Sequence, residues 1–363
     1  MSLDDASNYS EKLLIERLAE LLGFSRLADR LPWNVYPPYL LVAVTLVFEY
    51  VVIDGYNYVV AGKTSVASDP ISIVTAGGLV VAVVGIRWMR DSYAEAMTSL
   101  RVSQHKSAQD ADSPITFEYI VPFRLKIAAY AIGLLLLFGN HFLLLGIPTL
   151  FEIQGVVSTV LYNFTLQPLV YVPLIVEFGL LYIGIHFFLP RRMLKADLDL
   201  FFYDPRKMGG FAKVGELLKR SYYLYTAGVI LYFTLIYGVV LLNDYITSPY
   251  PEPSNTLAIM FTVLWLVGLF SIGYSMYRVH TLMSKKKARE IDEIETQIRG
   301  MLDDPYDIHN SNLAGNEQLE EIQHRLEQVR ATREYPSTFT MWTQIGISVL
   351  LPQALQLLVQ FGT

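Results

Sequence analysis

No cysteine occurs among the 363 residues. That removes disulfides, thiolate metal sites and cysteine nucleophiles. Charge is also scarce: Asp, Glu, Lys and Arg make up 17% of the chain, where a soluble domain carries about a quarter. There is no basic tract and the net charge is −6, so nucleic acid is not an expected partner. The polar, acidic start of the chain lacks the basic-then-apolar layout of a secretory signal. The first apolar block is expected to act as its own insertion signal. The sequence has no HExxH helix, Gly-x-Ser-x-Gly elbow, Walker loop or dinucleotide spacing, and its six histidines are scattered. No catalytic residue, metal or cofactor is expected from these patterns.

What the chain has in excess is apolar sequence. Hydrophobic residues make up 53% and the mean hydropathy is +0.36. They gather in blocks of about 20 residues, the length that crosses a bilayer core as a helix. The 24 Tyr and 19 Phe suit membrane interfaces. Seven blocks are read as spans: 39–60, 71–89, 120–145, 167–189, 222–242, 257–277 and 340–361. The expected fold is all-α, a polytopic bundle of seven transmembrane helices with helical extensions in the cytoplasm. Its lipid partner is expected to be the cell membrane.

Basic residues orient the bundle. Cytoplasmic segments carry the Lys and Arg excess. Of the 28 Lys and Arg, 27 fall in or beside alternate connecting segments, and Lys63 alone falls on the other side. The amino terminus is therefore expected inside and the carboxyl terminus outside. The outer loops carry Asp69, Glu152, Asp244 and Glu252. Asn163-Phe164-Thr165 is a glycosylation sequon expected on the outer side.

Four regions follow. Residues 1–38 form a cytoplasmic amino-terminal segment, in which Leu13, Leu14, Leu18, Leu21 and Leu22 are expected to share one helical face, packed on the protein or lying on the membrane surface. Residues 39–277 form a six-helix bundle. Residues 278–336 are expected to form a helical hairpin, because Ile291, Ile294, Ile298 and Met301, and then Leu319, Ile322, Leu326 and Val329, recur at helical spacing. Residues 337–363 hold the seventh helix. Between the fourth and fifth spans, the segment 202–211 contains Asp204-Pro205 and Gly209-Gly210 and reads as a structural turn.

Gln353, Gln356 and Gln360 share one face of the last block, beside Leu357 and Phe361. Unsatisfied amides cost several kcal/mol in lipid, so this face must meet protein or water. Hydrogen bonds inside one bundle would serve, and so would a pore wall built by several copies. Seven spans, inside amino and outside carboxyl termini, and a long cytoplasmic helical segment before the last span resemble the insect odorant and gustatory receptors and their relatives in other lineages. Gln360-Phe361 matches the Gln-Phe pair closing the gustatory signature, while Gln353-Ala354 stands where that signature has Thr-Tyr. The resemblance implies a homotetrameric, ligand-gated cation channel with the last span lining the pore and Gln360 and Phe361 at the gate. An unidentified small-molecule ligand is implied with it.

Ligand-pocket candidates lie in the other spans. Glu49 and Glu177 sit near mid-span, where a charge costs about 2.5–3.5 kcal/mol on insertion scales. Asn140 and His141 fall in the outer half of the third span, and Tyr171, Tyr232, Tyr237 and Trp265 are placed to share an outer-half cavity with them. Asp303, Asp304 and Asp307 form a DDxxD pattern, as in membrane prenyltransferases that hold Mg²⁺ on a diphosphate. Asp110 and Asp112 are poor partners for it. An enzyme of that type, or a poreless sensory or structural bundle, is the alternative to a channel.

Overall fold

A computed structural model describes residues 12–33, 35–63, 65–66, 70–100, 117–203, 205–241, 255–302 and 317–335. Within them every regular element is helical. Two short helices open the chain, α1 (Leu14–Leu21) and α2 (Phe24–Arg30). Proline then starts α3 (Pro37–Ala61), which carries π-helical stretches at Phe48–Ile53 and Asn57–Ala61. Proline suits this first turn because its missing N–H would have no partner there. α4 is Ile73–Ser99, and α5 is Phe123–Gly139 continued by a π stretch at Asn140–Leu145. α6 (147–154) and α7 (156–195) meet at Gly155, whose φ of 81° and ψ of 162° break the helix. α8 is Ala212–Leu241, α9 is Asn255–Met301 and α10 is Glu317–Ala331.

Five segments are long and apolar enough to cross a membrane: Pro37–Ala61, Ile73–Ser99, Phe123–Leu143, Ile147–Lys195 and Ile259–Met301. They coincide with the first, second, third, fourth and sixth expected spans. The fifth expected span is the tyrosine-rich α8, which is not among these five. It packs along α4 on one side and α9 on the other. The seventh, with Gln353, Gln356, Leu357, Gln360 and Phe361, lies outside the described residues.

The helices outrun a bilayer at one end. α9 has 47 residues and is therefore about 70 Å long at 1.5 Å per residue. The far part of α9 pairs with α10 through Ile294, Ile322, Leu326 and Val329, with Ile291, Ile298 and Phe202 packed around them. The two expected stripes meet, because each repeats at the helical period. Met301, at the end of its stripe, is exposed.

Lys287 fixes the end of α10. Its Nζ donates to the carbonyls of Arg330 and Thr332, both at 2.9 Å. A cation on the last carbonyls of a helix satisfies acceptors that have no intrahelical donor. Lys287→Met is expected to cost about 1–2 kcal/mol of local stability. Hydrogen exchange across 317–331 reads this directly: protection should fall there and not in α4.

Within the 202–211 segment the chain turns at its two glycines. Gly209 and Gly210 have φ of 62° and 95°, and Phe201 N donates to Gly209 O at 3.2 Å. The sequon asparagine lies inside the protein. Asn163 is buried in the π-helical stretch Thr159–Tyr171 and its amide donates to Gln154 Oε1 at 2.7 Å. It is an internal hydrogen-bonding residue, closed to glycosylation in the folded chain.

Candidate functional site

α1 is anchored by a residue far away in sequence. Glu177 on α7 is completely buried. Its Oε1 accepts from Leu14 N and its Oε2 from Ile15 N, each at 2.8 Å. These are two of the first-turn N–H groups of α1 that no helical carbonyl can reach, and a carboxylate there also meets the positive end of the helix dipole. Lys126 Nζ on α5, itself 2% exposed, stands 3.5 Å from Glu177 Oε1. The charge is thus neutralised in place. Glu16 extends the junction, accepting from Leu13 N at 2.9 Å and Tyr36 Oη at 2.8 Å and pairing closely with Arg90 of α4. Burial first, and then the Glu16 carboxylate, push the Tyr36 hydroxyl far above the usual phenol range, so it remains a donor.

This corrects two expectations. The buried face of the amino-terminal helix is Leu13, Ile15 and Ala19, whereas Leu21 and Leu22 are exposed. The helix packs on the protein, with its register set by Glu177. Glu177 itself has both oxygens engaged by α1, which makes it the clasp of that helix rather than a free wall of a pocket.

The other candidates fall into separate groups. At the end of the bundle remote from α10, Tyr171 Oη makes a close hydrogen bond to Glu49, and Tyr162 packs edge-on to Tyr171 at 5.7 Å. One turn away, Gln167 Oε1 lies 3.0 Å from His141 Nε2. His141 is 4% exposed, and its Nδ1 has no partner among the described residues. Phe164 stands against the His141 ring at 6.0 Å. Asn57 donates to Ser158 Oγ at 2.8 Å at the same end. Asn140 faces outward and is not gathered with them. Tyr232 and Tyr237 belong to an aromatic cluster on α8 and α9 with Phe233 and Phe261. Trp265 is half-buried on α9.

The remote end is built from unusual backbone. π-Helical stretches in α3, α5 and α7 supply Glu49, Asn57, His141, Asn163, Gln167 and Tyr171. π-Helices are rare and usually one turn long, and they concentrate at functional sites. Here one of them runs for 13 residues. The wider winding removes the helical register that places like residues every three or four positions, so hydropathy patterns cannot show which polar groups meet.

A second polar cluster was not legible in the sequence. His186 on α7 is fully buried. Its Nδ1 lies 2.9 Å from Ser275 Oγ on α9 and its Nε2 lies 3.0 Å from Ser221 Oγ on α8. Tyr182 stacks on Tyr225 at 4.4 Å and bonds closely to Ser271. The only sequence signal is a helical pair, Ser271 and Ser275, in an apolar span. Such hydroxyls commonly join membrane helices.

A cavity of about 610 Å³ opens at the α10 end, between the 197–203 segment, α9 and α10. Lys286 bridges Asp197 and Asp199 at 2.8 Å each on its wall. Among the described residues no group of three His, Asp or Glu is arranged to hold a metal. Asp303, Asp304 and Asp307, Asp110 and Asp112, and the carboxylates Asp69, Asp244 and Glu252 lie outside the described residues. Glu152, the remaining carboxylate of those expected on the outer side, lends its main-chain oxygen to Lys63 Nζ at 2.7 Å. No family model, curated protein or solved structure matches the chain.

Proposed function

We propose that the chain crosses the membrane seven times, amino terminus inside and carboxyl terminus outside, and that four copies form a ligand-gated, cation-permeable channel. On this reading α8 is the fifth span and 340–361 the seventh, lining a central pore with Gln353, Gln356, Leu357, Gln360 and Phe361.

The observation that carries the reading is the return of α10. Tyr335 lies flat on His280, ring centres 3.9 Å apart and planes 5° from parallel. His280 Nδ1 donates to Glu334 O at 3.1 Å. The chain leaving α10 is thereby held beside position 280 of α9, three residues past the sixth expected span. The last apolar block begins five residues later. A segment that starts at the inner membrane edge there would cross outward, which agrees with the absence of Lys and Arg from 340–363.

The ligand part of the reading rests on the remote polar end. Buried Glu49, His141 and Tyr171, with half-buried Gln167, in π-helical backbone form a group whose hydrogen bonds a bound polar molecule could exchange. A ligand opens such a channel only by binding the open state better than the closed one.

Purified protein in planar bilayers provides the test. Cation currents are expected from fourfold particles, and Gln360→Ala is expected to change unitary conductance or selectivity by several-fold while leaving assembly intact. A monodisperse monomer without currents would end the channel reading. Currents unchanged by Gln360→Ala would end the gate assignment alone.

A further inference from the structure

The α1–α2 hook leaves an unusual patch uncovered. Leu21 is 82% exposed, Trp33 74%, Leu22 48% and Leu27 43%. On α2, Phe24 packs on the core and Ala28 is buried, which turns that edge inward. Arg26 and Arg30, four residues apart, fall on the opposite edge of the helix and are exposed. Among the described residues neither arginine has a carboxylate partner, although other arginines of this region, such as Arg90, are paired. Trp33 stands four residues before Pro37, where the first membrane-spanning helix begins.

These facts restrict what can cover the patch. The chain enters the bilayer at Pro37, so Trp33 and the seven-residue α2 before it cannot be far from the membrane surface. Tryptophan prefers that boundary, where its apolar ring and polar N–H are both accommodated. Exposed leucines beside unpaired arginines form the two-sided surface that enters a headgroup layer, with apolar groups toward the acyl chains and cations at the phosphates. The other face of the hook is held to the protein by Glu177 and Glu16, so the patch is presented rigidly.

We propose that this hook is an anionic-lipid site: Trp33, Leu22 and Leu27 seat in the headgroup boundary of the leaflet facing the amino terminus, and Arg26 and Arg30 bind the phosphate of an acidic lipid. The proposal needs insertion at Pro37 but not a pore. A failed channel recording and a failed lipid test are separate results.

The experiment uses full-length protein reconstituted in vesicles, with Trp88, Trp265 and Trp342 changed to Phe so that Trp33 alone emits. Brominated phosphatidylglycerol and brominated phosphatidylcholine are compared as quenchers. Each arginine near an acidic surface contributes about fivefold in lipid association. Brominated phosphatidylglycerol should therefore be favoured at Trp33 by up to about 25-fold, and Arg26→Gln/Arg30→Gln should abolish the preference while leaving quenching by both lipids. Equal quenching by the two lipids in the parent would overturn the site. So would the absence of quenching by either lipid, whether Trp33 is open to aqueous iodide or covered by a second copy. If the Trp-to-Phe background does not fold, native mass spectrometry of the unaltered chain against Arg26→Gln/Arg30→Gln reads the same preference as retained phosphatidylglycerol. Equal retention would refute it.

Discussion

Lys126→Met should be among the most destabilising single substitutions in this protein. Lys126 and Glu177 are 2% and 0% exposed, so removing the ammonium leaves a buried carboxylate without its cation. Breaking one side of a buried pair costs about 3–5 kcal/mol. Two backbone N–H bonds remain on Glu177, which places the expected loss at the lower end, about 3 kcal/mol. Glu177→Gln should cost a similar amount for a different reason. The amide keeps one acceptor for α1 but turns an N–H toward the other donor, and Lys126 loses the carboxylate that stands 3.5 Å from its Nζ. Together the two changes remove both charges. The double variant should therefore be more stable than the sum of the singles by at least about 1 kcal/mol, the range expected for contacting residues. Thermal unfolding in detergent measures all three variants. Additive losses would mean that the pair does not interact as its geometry indicates.

The same junction shows where sequence reasoning stops. The leucines of the amino-terminal helix repeat at a helical period, which predicts a helix there and finds one. It does not predict the face. The buried face is Leu13, Ile15 and Ala19, because Glu177 grips the first turn from 163 and 162 positions away. Long-range hydrogen bonds to backbone leave no local pattern. By contrast, the meeting of Ile294 with Ile322, Leu326 and Val329 follows from two stripes of the same period, and the long apolar blocks follow from hydropathy alone. Glu49 and Tyr171 were identifiable one by one as costly polar groups in apolar surroundings. Their contact was not, since the π-helical stretches that bring them together shift the register between them. His186 carries no sequence signal beyond being one of six scattered histidines. Its partners Ser221 and Ser275 lie on two other helices.

Gly155→Val is expected to have the second large effect, and it acts on the remote polar end. Gly155 has φ of 81° and ψ of 162°, a backbone region reserved almost entirely for glycine. A β-branched residue there costs up to about 3 kcal/mol or forces the turn to open. The turn matters because α6 folds back at this residue onto the start of α7. Thr159 Oγ1 donates to Gly155 O at 2.8 Å, and Asn163 bonds to Gln154 at 2.7 Å. Opening it strands Asn163 and Thr159, both buried, without partners at the base of the stretch that carries Gln167 and Tyr171. The absence of native cysteine makes the check clean. With Gln154→Cys and Asn163→Cys introduced, a short bis-maleimide should join the two thiols when Gly155 is present and fail to join them in Gly155→Val. The unfolding midpoint should fall in parallel. Efficient cross-linking with an unchanged midpoint would mean that the reversal does not depend on the glycine. On the channel reading, Gly155→Val removes ligand response while Gln360 and its neighbours keep their conductance, because the turn supports the remote polar end and the pore face belongs to a different segment.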